Sequence, residues 1–139
     1  MPITSKERKI DKKKRLLEHA KNFLDAWNTQ DVELVVATYT PDVQYRDPNT
    51  KGFVEGSDAM RKYLAKLFVG WDMHWTLREL YPFDGVDGAA VLWHASLKLP
   101  GKDKVVEVDG MDFVLLEGDK IKRNDVYFDR AVMAPLLEK

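Results

Sequence analysis

One carboxylate stands out by its position. In TPDVQYRDPNTKGFVEG, residues 40–56, Val43, Tyr45 and Asp47 alternate with Gln44, Arg46 and Pro48. A strand turns successive side chains to opposite faces, so if Val43 and Tyr45 enter the core, Asp47 goes with them. Burial would then lift its pKa toward neutrality, where a carboxylate works as a general base. The competing reading is a turn residue, because an Asp before Pro commonly caps its own backbone.

Other side chains offer help or competition. His74, in WDMHWT, is a candidate proton relay or donor to Asp47, against the reading of a half-exposed strand histidine. Asn124 shares parity with Val126 and Phe128, so it points inward and can hold a substrate carbonyl or a neighbouring backbone group. Asp109 points inward with Met111 unless Gly110 forms a bulge, while Asp112 and Asp129 carry the outward phase. His94 alternates with Trp93 and faces outward; His19 sits among lysines on a helix and reads as solvated. The expected interior lining is Phe23, Trp27, Tyr45, Trp93, Met111, Phe113, Val126 and Phe128, which suits a flat hydrophobic ligand or a packed core equally. Three scattered histidines and no cysteine make a metal site improbable, and no metal or other cofactor is expected. No G-x-S-x-G, P-loop or dinucleotide fingerprint occurs, which disfavours a serine hydrolase, a nucleotide enzyme and a Rossmann reductase.

These residues need elements to position them. Leu16, Leu17, Ala20, Phe23, Leu24 and Trp27 recur at helical spacing, predicting a helix over 12–28. Asn28, Thr29 and Gln30 supply a turn, and Asp31 caps a second helix running to Tyr39. After the first strand, Ser57 opens a third helix with the stripe Met60, Tyr63, Leu64, Leu67 and Phe68, ending at Gly70. Strands follow over 71–81, 89–99, 105–116 and 121–128, and the tail AVMAPLLEK forms a short last helix. Helices first and a strand meander after them make an α+β chain, with the helices covering a curved sheet that encloses a cone-shaped interior.

Composition sets the outer limits. At 139 residues, 45% hydrophobic and 32% charged, the chain is expected to be one domain over 12–139, preceded by a basic, frayed terminus over 1–11. Residues 1–21 carry eight Lys/Arg against three Asp/Glu, a pattern read as a solvated helix face. Nucleic-acid and membrane partners are not expected, because the basic stretch lacks aromatic partners and no apolar run nears ~18–20 residues. Without a secretory h-region the cytoplasm is the default location. An apolar outer sheet face would pair two copies, so a homodimer is expected.

The segments FLDAWNTQDVELVVATYTPDVQYRDP, GFVEGSDAMRKYLAKLF and EGDKIKRNDVYFDRAVMAPLL together resemble the nuclear transport factor 2-like superfamily over nearly the whole chain after residue 15. That superfamily includes ketosteroid isomerases, SnoaL-like polyketide cyclases and limonene epoxide hydrolases. The resemblance implies a cystatin-like α+β barrel and places Asp47 where the isomerases keep their general base. It matches their two oxyanion donors, a helix Tyr and a protonated strand Asp, to Phe23 and Met111, so both donors are missing in that alignment. The epoxide hydrolases' inward Asp corresponds to Val126, and the cyclases' late-strand Asp finds loose counterparts in Asp129 and Asp112. The implied function is a cofactor-independent isomerase, cyclase or lyase on a hydrophobic carbonyl compound. The alternative is a ligand-binding or dimeric interaction module of the same fold.

Overall fold

The computed structural model describes residues 2–138. Helix α1 spans Ser5–Thr29, its start capped by the Thr4 hydroxyl, which accepts from the Glu7 N–H at 3.1 Å. It begins before the expected residue 12, so residues 5–11 form exposed helical turns. The basic face then docks locally: Lys12 donates to the carbonyls of Phe83 and Val86, and Arg15 pairs with Asp87 at 2.7 Å. Leu16, Ala20, Phe23, Leu24 and Trp27 form the buried stripe, as their spacing requires.

Helix α2 is only Val32–Val36, capped by Asp31, whose Oδ1 accepts from the N–H groups of Glu33 and Leu34. Tyr39 therefore does not end a helix but starts strand β1, Tyr39–Arg46. A short β2 (Val54–Glu55), helix α3 (Ser57–Gly70) and four long strands follow: β3 Asp72–Pro82, β4 Gly88–Lys98, β5 Val106–Glu117 and β6 Lys120–Tyr127. The chain closes with a 3-10 turn, Arg130–Met133, and a single-turn helix α4, Ala134–Leu137, which tolerates Pro135 near its start.

The six strands form one mixed sheet in the order β2-β1-β6-β5-β4-β3, parallel between β1 and β6 and antiparallel elsewhere. The sheet curves but does not close, leaving β2 and β3 as edges. Register shifts between Tyr39 and Gln44, Leu77 and Glu79, and Leu115 and Leu116 supply local bends. The β3 edge is protected by α1. Asn28 exchanges two hydrogen bonds with the Trp75 backbone at 2.7 and 2.9 Å, and Gln30 accepts from Met73 N–H at 2.8 Å. Amides that read as turn formers thus take the place of a neighbouring strand. No helix among the described residues is long and apolar enough to cross a membrane.

The concave face holds the core. On β4, Val91, Trp93, Ala95 and Leu97 point inward, in the expected phase. On β5 the phase is opposite to the expectation: Val108, Asp112, Val114 and Leu116 are buried, while Asp109, Met111 and Phe113 lie on the outer face. Gly110 makes no bulge, since pairing runs unbroken through Trp93↔Gly110. It faces inward because the Trp93 indole occupies its side-chain space; a Cβ there would lie 2.5 Å from the ring. Phe113 instead packs against Phe83 with centroids 5.0 Å apart, and Arg123 lies over its ring.

Candidate functional site

Asp47, half-buried at the rim of the cone, uses one oxygen to close its turn and the other to meet two phenols. Its Oδ1 accepts from the Asn49 N–H at 2.7 Å, closing the turn that Asp-Pro sequences favour. Its Oδ2 accepts from the Tyr45 hydroxyl at 2.7 Å and from the Tyr63 hydroxyl in a short contact. Strand parity puts Tyr45 two residues before Asp47 on the same face, and α3 delivers Tyr63 from above. Burial, reinforced by the Asp47 carboxylate, pushes both phenols above the usual tyrosine range. They remain protonated donors at any ordinary pH.

A second carboxyl lies deeper. Asp112 is 4% exposed and has no cationic partner among the described residues; its Oδ1 accepts from the Trp93 indole N–H at 3.0 Å. Desolvation pushes its pKa up to about 7, against the lowering effect of hydrogen bonds from Trp93 and Asn124. Asn124, fully buried, belongs to a chain of polar groups through the core. Trp27 N–H donates to the Tyr39 hydroxyl at 3.3 Å, and that hydroxyl donates to Asn124 Oδ1 at 2.8 Å. Near neutral pH, Asp112 is a buried acid balanced between its two forms.

Aromatic rings fill most of the cone around these groups. Trp27 stacks on Tyr45 with centroids 5.9 Å apart, and Trp75 stands edge-on to Trp27 at 5.4 Å and to Trp93 at 6.4 Å. Two voids remain, of 50 and 30 Å³; Asp47 lines the larger and Asp112 the smaller. Trp27, Tyr45, Trp75 and Val126 separate them and line both. Ligand pockets run from about 300 Å³ upward, so these voids hold water-sized guests only. A groove of 580 Å³ lies outside, between α3 and the C-terminal segment. It shares Asn49, Leu67, Trp71 and Met133 with the larger void, so one layer of side chains separates outside from inside.

The structure gathers Phe23, Trp27, Tyr45, Trp93, Asn124, Val126 and Phe128 around the cone, with Asp47 at its rim. It does not bring the other candidates there. His74 is exposed and pairs with Ser96 on the outer face, because β3 turns Met73 and Trp75 inward instead. Asp129 is spent on a cap, accepting from the Ala131 N–H at 2.9 Å at the start of the 3-10 turn. Met111 and Phe113 lie on the opposite face of the sheet, and the inward residue beside Met111 is Asp112. His94 does face outward, between Asp109 at 2.8 Å and Glu107 at 3.1 Å. His19 is half-buried rather than solvated, bonded to the Asp119 carbonyl at 3.0 Å.

Two groups that touch the site carried no signal in the sequence, and a third was expected on the wrong face. Tyr63 stood in a helical stripe indistinguishable from core, and Tyr39 was assigned to a helix. Asp112, which the cyclase resemblance did name, was expected on the outward phase, because both alternate sets of β5 positions hold large apolar residues.

Comparison with known proteins agrees with this architecture. Many solved structures share the fold, among them the following three. A candidate SnoaL-like polyketide cyclase from Jannaschia sp. CCS1 superposes with TM-score 0.75 at 19% identity, covering 91% of this chain and 94% of its own. TerC, co-crystallized with polyporic acid, gives 0.75 at 17% identity over 90% and 99%. A ketosteroid isomerase-like protein from Erwinia carotovora atroseptica SCRI1043 gives 0.63 at 20% identity over 80% and 91%. No curated protein matches the sequence significantly. The model of the SnoaL-like domain matches residues 20–124, from the middle of α1 through Asn124 on β6, and the chain belongs to that family.

Proposed function

We propose that this protein is a cofactor-independent isomerase, cyclase or lyase that moves a proton on a hydrophobic carbonyl compound, with Asp47 as general base. The observation that carries the reading is the position of Asp47 Oδ2. It is held by two phenol donors at the rim of an aromatic cone, and one of them, Tyr63, also lines the outer groove. A substrate entering from the groove displaces the Tyr63 hydroxyl and presents a C–H beside the carbonyl to Oδ2. As the carboxylate takes that proton, charge develops on the carbonyl oxygen, where the released Tyr63 hydroxyl donates a hydrogen bond. The proton then returns to another atom of the same substrate. TerC, whose fold is similar, was co-crystallized with polyporic acid, which supports a small-molecule role for a chain of this fold.

The test is deuterium exchange from heavy water into flat aromatic ketones, followed by proton NMR. Asp47→Asn is expected to slow exchange by about 10²–10⁴-fold with unchanged circular dichroism. Exchange at the wild-type rate in that variant would sink the general-base assignment.

One observation favours a second reading, a non-catalytic module. The rings of Trp27, Trp75, Trp93 and Phe128 are closely packed, with Trp93 and Phe128 centroids 6.2 Å apart. On either reading we propose that the outer face, with half-buried Leu92, Met111, Phe113 and Leu115, pairs two copies of the chain.

A further inference from the structure

The outer groove differs from the cone in charge as well as in size. Its floor is apolar, from Leu67, Trp71, Met133 and Leu137, and two cations, Lys66 on α3 and Arg130 at the start of the C-terminal turn, stand on its two walls. No Asp or Glu is among the described residues that line it, and neither cation forms an ion pair with a described residue. Three other surface arginines are matched, Arg15 with Asp87, Arg61 with Glu33 and Asp58, and Arg78 with Asp109, while Arg8 near the start of α1 donates only to the Ile3 carbonyl. Two cations from separate elements, facing an apolar trough of 580 Å³ with no matching acid, make a complement for a single anionic group on an apolar body.

We infer that the groove selects a planar hydrophobic monocarboxylate. The carboxylate sits between Lys66 and Arg130, while the ring system lies over Leu67, Trp71 and Met133, pointing toward Tyr63 and Asp47. This names the substrate class for the proton-transfer reading and rests on the groove being its entrance. The geometry keeps the two negative charges apart: the cations hold the ligand's carboxylate at the rim, and Asp47 lies behind the Tyr63 hydroxyl.

Naphthoate and its neutral counterpart naphthamide are the probes, with affinity read by titration calorimetry on the full chain. Naphthoate is expected to bind about tenfold more tightly, and K66Q/R130Q to abolish that preference while leaving naphthamide affinity unchanged. Lys62→Gln, on α3 but outside the groove, serves as the control and is expected to keep the preference. Equal affinity for the two probes, no binding of either, or a preference that survives K66Q/R130Q overturns the inference. Asp47→Asn separates it from the catalytic reading. Loss of deuterium exchange with the naphthoate preference intact sustains both, whereas intact exchange with an intact preference overturns the role of Asp47 alone.

Discussion

Asp112 and Asp125 are the same residue type, on adjacent strands, and nearly equally hidden, at 4% and 1% exposure. They face opposite sides of one sheet and meet opposite environments. Asp112 looks into the cone and finds only neutral donors, so burial drives its pKa up to about 7. Burial pushes Asp125 upward too, but Arg123 and Arg46 more than reverse it and hold the carboxyl below its usual range. Arg46 reaches Oδ2 at 2.8 Å and Arg123 reaches it at 2.9 Å, with the Phe53 ring lying under both guanidiniums. Depth alone therefore does not decide what a buried carboxyl does. A cation beside it makes a structural ion pair, and an apolar wall makes a proton donor.

The largest expected break in this comparison is Asp112→Asn. The folded group titrates near pH 7 and the unfolded one near 3.8, so folding takes up a proton between those values. Its contribution to stability accordingly falls as pH rises from about 4 to about 7, by roughly 4 kcal/mol in total. The Asn variant lacks that slope and is expected to be more stable than wild type at pH 8 and similar at pH 4. Urea titrations across this range decide it, and parallel curves for the two proteins would refute the buried-acid assignment.

A somewhat smaller effect is expected from R46Q/R123Q, which leaves Asp125 buried without a cation. Stability should be lost at pH 7, because the carboxylate stays buried after both guanidiniums have gone. The sign of the pH dependence is opposite to that of Asp112. Asp125 stabilises the wild type above the unfolded carboxylate range, and that stability goes as pH falls through its lowered folded pKa. The double variant should lose this acid-limb contribution, so a wild-type-like acid limb in chemical denaturation would count against the ion pair.

The smallest effect concerns what covers the outer side. Sedimentation velocity at micromolar concentration is expected to show two copies, and Phe113→Lys to shift the equilibrium toward one. A wild-type mass independent of concentration and equal to one chain would remove the proposed pairing, and leave the Arg46–Asp125–Arg123 cluster facing water.

Much of the fold was legible along the chain because it depends on local period. The α1 stripe, the β4 alternation and the Asp31 cap each follow from neighbours within a few residues, and the structure reproduces them. The errors fall where two phases were locally comparable. In VEVDGMDFVLLE both sets of alternate positions hold large apolar residues, and only the packing of Trp93 into the space above Gly110 selects the face. The facing of His74 stayed open for a related reason: WDMHWT alternates Met73 and Trp75 against His74, yet which set turns inward depends on the side α1 covers.

The sequence by itself determined an α+β chain with a helix-covered sheet, and sent Asp47 to the inner face through the strict two-residue period of YRDP. It also carried the turn chemistry of Asp-Pro, which the Asn49 contact expresses. Tertiary structure alone decided what Asp47 meets. Tyr63 comes from sixteen residues away and Trp93 meets Asp112 from nineteen, distances over which no local pattern acts. The same holds for Asp112 and Asp125: a pKa is set by the charges and water within a few ångströms, and those neighbours exist only once the sheet has formed and chosen its faces.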